Sequence, residues 1–146
     1  MRYTEGKMGR VFVIRLEDSD RLPEAIENFA KKESLQRGIC IFVGGIKGGK
    51  IVVGPKDSKS SPIVPLMYVL ENVHETAGVG TIFPDEEGNP KLHMHAAFGR
   101  EGNTRTGCIR PGIEVANLGE VVILEIVESS AKRKMDEKAG FMVLEP

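Results

Sequence analysis

Tryptophan is absent from this sequence of 146 residues, and only two tyrosines are present. Neither sign of charge dominates, because 20 lysines and arginines are balanced by 21 aspartates and glutamates, for a formal net charge of -1. Domains that bind nucleic acids usually combine a basic surface with aromatic side chains on which bases stack. The composition therefore argues against a surface that attracts nucleic acid as a whole. A basic run at 132–134, Lys-Arg-Lys, is typical of a solvent-exposed surface, although it could supply a local positive patch.

Cysteine is scarce, and long apolar runs are absent. The two cysteines, Cys40 and Cys108, lie far apart in the sequence, and the first residues contain no hydrophobic signal region. No apolar run approaches the roughly 20 residues that a membrane-spanning helix needs. We therefore expect a cytoplasmic protein without a membrane segment. The length favours a single domain over residues 1–146, with a core that extends from residue 10 to residue 144.

The pattern of apolar residues predicts one helix and many short strands. Branched and aromatic residues at 10–16 predict a first strand, and apolar residues at helical spacing over 22–30 predict a helix that Asp20 caps and Gly38 ends. Further strands are predicted at 39–43, 50–53, 63–72, 75–82, 120–127 and 140–144, with a hairpin over 92–109. The segment 131–138 is charged and poor in core residues. This order predicts an α+β fold with a mixed or antiparallel sheet, whose strand edges favour a homo-oligomer.

Two segments come close to known motifs and fail at one residue each. Gly44–Lys50 matches the glycine and lysine positions of a phosphate-binding loop, but Ile51 stands where a serine or threonine must hold magnesium. The segment 74–78, His-Glu-Thr-Ala-Gly, begins like the His-Glu-x-x-His zinc motif and ends in glycine. Neither nucleotide binding by this loop nor that zinc motif is supported.

The metal-binding side chains of the sequence are concentrated between residues 93 and 108. His93 and His95 are two residues apart, so in a β-strand they point to the same face with Cβ atoms roughly 7 Å apart. A reversal at Glu101-Gly102 predicts a hairpin in which residues whose numbers sum to 203 lie opposite each other, so that Cys108 faces His95. Two imidazoles and a thiolate suit zinc or a similar divalent metal, and three protein ligands leave a fourth position open.

An alternative interpretation of the same residues requires no metal. The strand could bury Leu92 and Met94 and present both histidines to solvent, with Cys108 as a small core residue. A register shift of one residue would also turn the thiol to the opposite face.

Four further residues are weaker candidates for the site. His74 is a doubtful fourth metal ligand, and Glu75 is a weak candidate for a catalytic base. Arg100 and Arg110 flank the hairpin and are candidates for binding a ligand or an anion. Each of the four is also typical of an ordinary exposed side chain.

Three stretches of sequence carry a resemblance to a known family. They follow a strand, a helix and a glycine-rich strand pair, and they read Leu-His-Met-His-Ala-Ala-Phe-Gly at 92–99, Thr-Gly-Cys-Ile at 106–109 and Gly-Glu-Val-Val-Ile-Leu-Glu at 119–125. In this order they resemble the plant and prokaryote conserved (PPC) domain, which also occurs beside AT-hooks in plant nuclear proteins. The resemblance covers nearly the whole chain, and the His-x-His hairpin is its most specific part.

The resemblance implies a homotrimeric α+β domain with a non-enzymatic assembly or regulatory role. Prokaryotic members are commonly labelled DNA-binding proteins, so the implied partners are the chain itself and a protein or DNA. Plant members contact DNA through an Arg-Gly-Arg-Pro AT-hook, which this chain lacks. The family pattern has a third histidine where this chain has Cys108, so the implied metal ligands are His93, His95 and, by substitution, Cys108.

The implied fold also looks like that of acetolactate decarboxylase, which holds zinc with histidines. A second hypothesis, by fold analogy alone, is therefore a metal-dependent enzyme that acts on a small oxygenated substrate. In such an enzyme the metal polarises a carbonyl group or activates water.

Overall fold

Antiparallel strand pairing organises nearly the whole chain. The computed structural model describes all 146 residues, which form nine strands and one helix, α1 (Leu22–Lys32). The strands are β1 (Lys7–Glu17), β2 (Gly38–Pro55), β3 (Pro65–Leu70), β4 (His74–Pro84), β5 (Pro90–Arg100), β6 (Asn103–Ile109), β7 (Glu114–Val127), β8 (Lys132–Asp136) and β9 (Phe141–Glu145). Every strand pair is antiparallel, which confirms the predicted α+β class. No helix has the length and hydropathy needed to cross a membrane.

Seven strands form one sheet in the order β1-β7-β2-β4-β5-β6, with β3 paired to β2. The long strand β2 is used twice. Its first half pairs with β7 and β4, and its second half pairs with β3 and, at Ile51 and Val52, with β6. Because β6 is also reached from β2 through β4 and β5, this last pairing closes part of the sheet on itself. The strands β8 and β9 form a separate hairpin.

The glycine-rich segment 44–49 lies inside β2, where the sequence predicted a break between two strands. Gly44, Gly48 and Gly49 have φ angles of 152°, 141° and 136°, which residues with side chains rarely adopt. The register of β2 against β7 shifts twice within this segment. The glycines therefore bend the strand through bulges instead of ending it, and the prediction of two short strands was wrong.

The helix lies where its apolar spacing was predicted, but the residues predicted to cap and to end it were wrong. Asp20 does not cap it, because Asp20 Oδ2 accepts a hydrogen bond of 2.8 Å from the backbone N–H of Glu17. The N–H of Leu22, at the start of α1, instead donates to the carbonyl of Ile113 at 2.9 Å. The helix ends well before Gly38, which begins β2. The backbone carbonyl of a residue distant in sequence thus takes the place of the side-chain cap that the sequence predicted.

One face of the sheet is covered and the other is open. The helix packs Leu22, Ile26 and Ala30 into the core, where they join buried side chains of the inner face that include Phe42, Ile46, Ile82, Met94, Phe98 and Ile123. Apolar side chains on the opposite face remain exposed by 37% to 83%, and we call this set the open face: Val11, Val13, Ile39, Ile41, Val43 and Val79. An exposed apolar surface of this kind is typical of a contact surface.

An ion pair between a buried carboxylate and a half-exposed arginine joins β1 to β7. Glu125 is 7% exposed and accepts hydrogen bonds from the Arg10 guanidinium at 2.7 and 2.8 Å and from its backbone N–H at 3.0 Å. The hydrogen bonds from the Arg10 side chain, opposed by burial and assisted by the backbone bond and the charge of Arg10, lower the pKa of Glu125 to about 2. The Glu125 carboxylate therefore contributes to stability.

We expect Glu125→Gln to lower the free energy of unfolding at pH 7 by about 1–2 kcal/mol, a modest value because Arg10 is half exposed. The folded-state pKa lies below the ordinary value of 4.5. The carboxylate therefore stabilises the fold above that value, and its contribution is lost as the pH falls towards 2. Urea unfolding of both proteins at pH 7 and pH 3 should show a smaller difference at pH 3.

Glu128→Gln is the matched control, because its ion pair with Lys7 has both side chains exposed by more than 60%. We expect it to change stability little at either pH. If Glu125→Gln cost as little as Glu128→Gln at pH 7, the stabilising role of the Arg10 pair would be wrong.

Candidate metal centre

The β5–β6 hairpin has the register that the sequence predicted. Its turn is formed by Glu101 and Gly102, with φ angles of 51° and 77°, and two positive φ values in succession are typical of a tight two-residue hairpin turn. His95 pairs directly with Cys108. The thiol and both imidazoles consequently lie on the same side of the sheet.

The three predicted ligands form a close cluster. The Nε2 atoms of His93 and His95 are 3.2 Å apart, and the two rings are inclined at 82°. With Cys108 included, the potential ligand atoms all lie within 4.8 Å of one another. A tetrahedral zinc ion with the usual bond lengths requires about 3.3 Å between two nitrogens and about 3.6 Å between nitrogen and sulfur. The nitrogens already fit this geometry, and a small side-chain rotation would bring the sulfur to it.

The cluster ends a row of side chains that crosses the whole sheet. Successive register pairs join Val13, Val122, Ile41, Val79, His95 and Cys108, which lie on β1, β7, β2, β4, β5 and β6 respectively. Val79, beside His95, is 62% exposed, whereas Cys108 is 5% exposed and pairs with Val52 where β2 closes on β6. The cluster is therefore open on its histidine side and covered on its sulfur side.

Burial and nearby positive charge set the protonation of the cluster. Burial, with the charges of Arg133, His95 and Arg110, lowers the pKa of His93, which favours the neutral imidazole that binds metals. Burial raises the pKa of the Cys108 thiol, and the charges of Arg110 and Arg133 partly oppose this. A divalent ion would provide the further positive charge needed to hold Cys108 as a thiolate.

Arg133 is a residue of this site that the sequence did not indicate. It lies on β8, between the exposed Lys132 and Lys134, and is only 6% exposed. Its Nη2 donates to Thr81 Oγ1 at 3.1 Å, and Thr81 is the register partner of His93. The interpretation of the 132–134 run as a solvated surface was thus wrong for its central residue. Alternation along a strand is the only signal that could have found it, and β8 was not predicted.

Two of the weaker candidates lie far from the cluster. His74 and Glu75 precede Val79, the register partner of His95, by five and four residues on β4, which corresponds to roughly 17 and 14 Å along an extended strand. The Nδ1 atom of His74 lies 3.0 Å from the carbonyl of Asn72. The structure therefore does not bring the doubtful fourth ligand or the candidate base to the histidine pair.

The two candidate arginines are separated by the length of the hairpin. Arg100 donates to the carbonyl of Val73 at 2.8 Å and lines, with Glu75, an open pocket of about 570 Å³ at the hairpin tip. Arg110 follows β6 and is near enough to His93 and Cys108 for its charge to lower the pKa of both. Only Arg110 is placed to act with the cluster.

The fold and sequence match known proteins over most of the chain. A family model described as the Plants and Prokaryotes Conserved (PCC) domain matches residues 3–127. A metal-containing protein from Archaeoglobus fulgidus has a similar structure, with 20% identity, a TM-score of 0.86 and complete coverage of both chains. A plant- and prokaryote-conserved (PPC) protein from Pyrococcus horikoshii is 22% identical with a TM-score of 0.82, over 97% of this chain and 96% of the other.

Two further matches carry other names. A "putative dna binding protein" from Bacteroides thetaiotaomicron is 16% identical with a TM-score of 0.79, over 97% of this chain and 96% of that one. Among curated proteins, the "Bifunctional protein GlmU" of Synechococcus sp. (strain JA-3-3Ab) is 26% identical over 138 residues. This alignment covers 92% of the present chain and 20% of that protein, so the chain spans about a fifth of the length of its curated relative.

Proposed function

This chain belongs to the Plants and Prokaryotes Conserved (PCC) domain family, and we propose that it is a homotrimeric assembly module that binds a zinc or similar divalent ion through His93, His95 and Cys108. The observation that carries the proposal is the close approach of these three side chains on one side of the sheet. The proposal treats residues 1–146 as one domain with a core over 10–144. It also assigns the protein to the cytoplasm, because two cysteines without a disulfide, one of them the proposed thiolate ligand, suit a reducing compartment.

The chemistry of the donor set supports the metal site. Imidazole nitrogen and thiolate sulfur are both ligand types that zinc binds in proteins, and the similar structure from Archaeoglobus fulgidus is named as metal-containing. When bound, such an ion would be held by two residues of β5 and one of β6, and it would supply a Lewis-acidic centre that can take a further ligand. His93 and His95 would hold it on the exposed side of the cluster, and Cys108 would hold it on the buried side.

The open face supports the homotrimer. Its six apolar side chains lie on three strands of the sheet, β1, β2 and β4, with β7 between the first two, and no part of this chain covers them. Contact between copies would remove this apolar surface from water, and a closed trimer would leave no such face unpaired.

DNA association is the weaker part of the proposal. The similar structure from Bacteroides thetaiotaomicron has DNA binding in its name, which favours a DNA partner. The chain itself has a formal net charge of -1 and no AT-hook segment. We therefore assign assembly to this chain, and we expect any contact with DNA to be made by a partner protein.

A metal-dependent enzyme is the second candidate function, and the open coordination position favours it. Such an enzyme would need a nearby acid or base. The cluster contains no carboxylate, and Glu75 lies roughly 14 Å away along β4. The lack of a carboxylate near the cluster to act as an acid or base therefore favours the non-enzymatic assignment.

Elemental analysis of the purified protein tests the metal site. We expect one divalent ion per chain in the wild-type protein, because three ligand atoms already converge. His93→Ala and Cys108→Ser each remove one of three protein ligands, so both should lower the metal content severalfold.

His74→Ala is the matched control, because it removes a histidine that lies outside the cluster. It should leave the metal content unchanged. Equal metal content in all four proteins, or none in the wild type, would remove the proposed site.

Sedimentation equilibrium tests the assembly. We expect a species of three 16.0 kDa chains, and we expect Val79→Glu to produce monomers because it places a charge on the open face. Phe141→Glu is the control, since Phe141 is also exposed but lies on β9, outside the main sheet. A monomeric wild type, or a trimer that tolerates the charge at residue 79, would contradict this assembly surface.

A mobility-shift assay with duplex DNA over a series of salt concentrations tests the DNA assignment. We expect no shift by the isolated protein even at low salt, because its charges are balanced. A shift that weakens steeply as salt rises would show phosphate contacts and would move the DNA-binding role to this chain.

A further inference from the structure

Arg133 is a buried cation that this chain does not neutralise. The residue is 6% exposed, yet its guanidinium takes part in none of the ion pairs of the structure. Its side-chain hydrogen bonds are the one to Thr81 Oγ1 at 3.1 Å and a long one to the Thr81 carbonyl at 3.5 Å. Its buried Nε has no acceptor, and Nη1 makes no hydrogen bond within the chain.

This arrangement is costly for the folded protein. A buried charge is usually paired, and a buried donor without an acceptor destabilises the folded state. Phe83, the aromatic ring beside the guanidinium at 5.9 Å from its centroid, offers only a weak cation–π contact. An unpaired buried arginine beside other chemically active side chains is therefore a candidate for ligand binding.

The position of Arg133 connects it to the metal cluster. Its hydrogen-bond partner Thr81 pairs with His93, so the guanidinium lies beside the histidine side of the cluster. The exposed Arg110 also forms no ion pair, and it follows Cys108 by only two residues in the chain. With a divalent ion on two neutral imidazoles and one thiolate, the site would carry three positive charges in excess. It would therefore attract an anion.

We propose that Arg133 and Arg110 form an anion subsite beside the His93, His95 and Cys108 cluster, and that its ligand is a small oxyanion that also occupies the open coordination position. This inference rests on the proposed metal site. A guanidinium pairs with the planar oxygens of a carboxylate or with the oxygens of phosphate, so both are members of the ligand class. The anion would supply the counter-charge that the chain does not provide to Arg133.

Calorimetric titration of the zinc-loaded protein with oxalate and, separately, with inorganic phosphate tests the subsite. We expect the wild-type protein to bind at least one of them. Arg133→Met should weaken that binding about 10- to 100-fold. Methionine has a side chain of similar length to arginine but lacks the charged hydrogen-bond donors. Binding of oxalate alone would identify the ligand as a carboxylate, binding of phosphate alone as a phosphate, and each result would support the subsite.

Lys134→Met is the matched control, because it removes the same charge from the neighbouring, exposed position on β8. It should change the affinity by less than about twofold.

Arg133→Met should unfold at a temperature equal to or above that of the metal-loaded wild type without anion, because it removes an unpaired buried charge. Should Arg133→Met not fold, Arg110→Met carries the test, since Arg110 is exposed, and it should weaken oxyanion binding severalfold.

The metal content of every sample separates the two proposals. If the wild-type protein holds its full complement of zinc but binds neither anion, the proposed subsite is wrong and the proposed metal site is retained. Unchanged oxyanion affinity in Arg133→Met, or in Arg110→Met where that variant is used, would also overturn it. Wild-type protein that holds no metal would overturn both.

Discussion

Strand register is the constraint on which the candidate site depends. A side chain on a β-strand points to one face or the other, so the pairing of His95 with Cys108 decides whether the sulfur can meet the imidazoles. The turn at Glu101 and Gly102 fixes that pairing, and Cys108 is buried at the point where β2 returns to pair with β6. The same alternation aligns the open face with the histidines, so that assembly and metal binding would use one side of the sheet.

The site concentrates positive charge in a chain that is nearly neutral overall. The charges of Arg110 and Arg133 act on His93 and Cys108, and no carboxylate joins the cluster. Glu125 and Arg10 show the contrasting arrangement, in which a mostly buried carboxylate and its guanidinium satisfy each other. In the Arg10–Glu125 pair both charges have a partner within the chain, whereas the Arg133 guanidinium has no carboxylate partner. That difference is the physical basis for treating Arg133 as a ligand-binding residue.

Local sequence patterns predicted the parts of the fold that local physics determines. Period-two alternation and the Glu101-Gly102 turn were sufficient to predict the hairpin and its register. The prediction that Asp20 caps the helix was wrong because the carbonyl of Ile113, in the loop before β7, accepts a hydrogen bond from the start of the helix. The glycines of β2 bend a strand that long-range pairing holds together, which sequence spacing does not reveal. Arg133 was missed for a similar reason, since only the packing of β8 distinguishes it from its exposed lysine neighbours.

X-ray absorption spectroscopy at the edge of the bound metal tests the central claim most directly, because it identifies the ligand atoms of the ion. The account predicts nitrogen scatterers at about 2.0–2.1 Å together with one sulfur at about 2.3 Å. The sulfur contribution should disappear in any metal that Cys108→Ser retains. A shell of nitrogen and oxygen alone in the wild-type protein would show that Cys108 is not a ligand and would contradict the proposed centre.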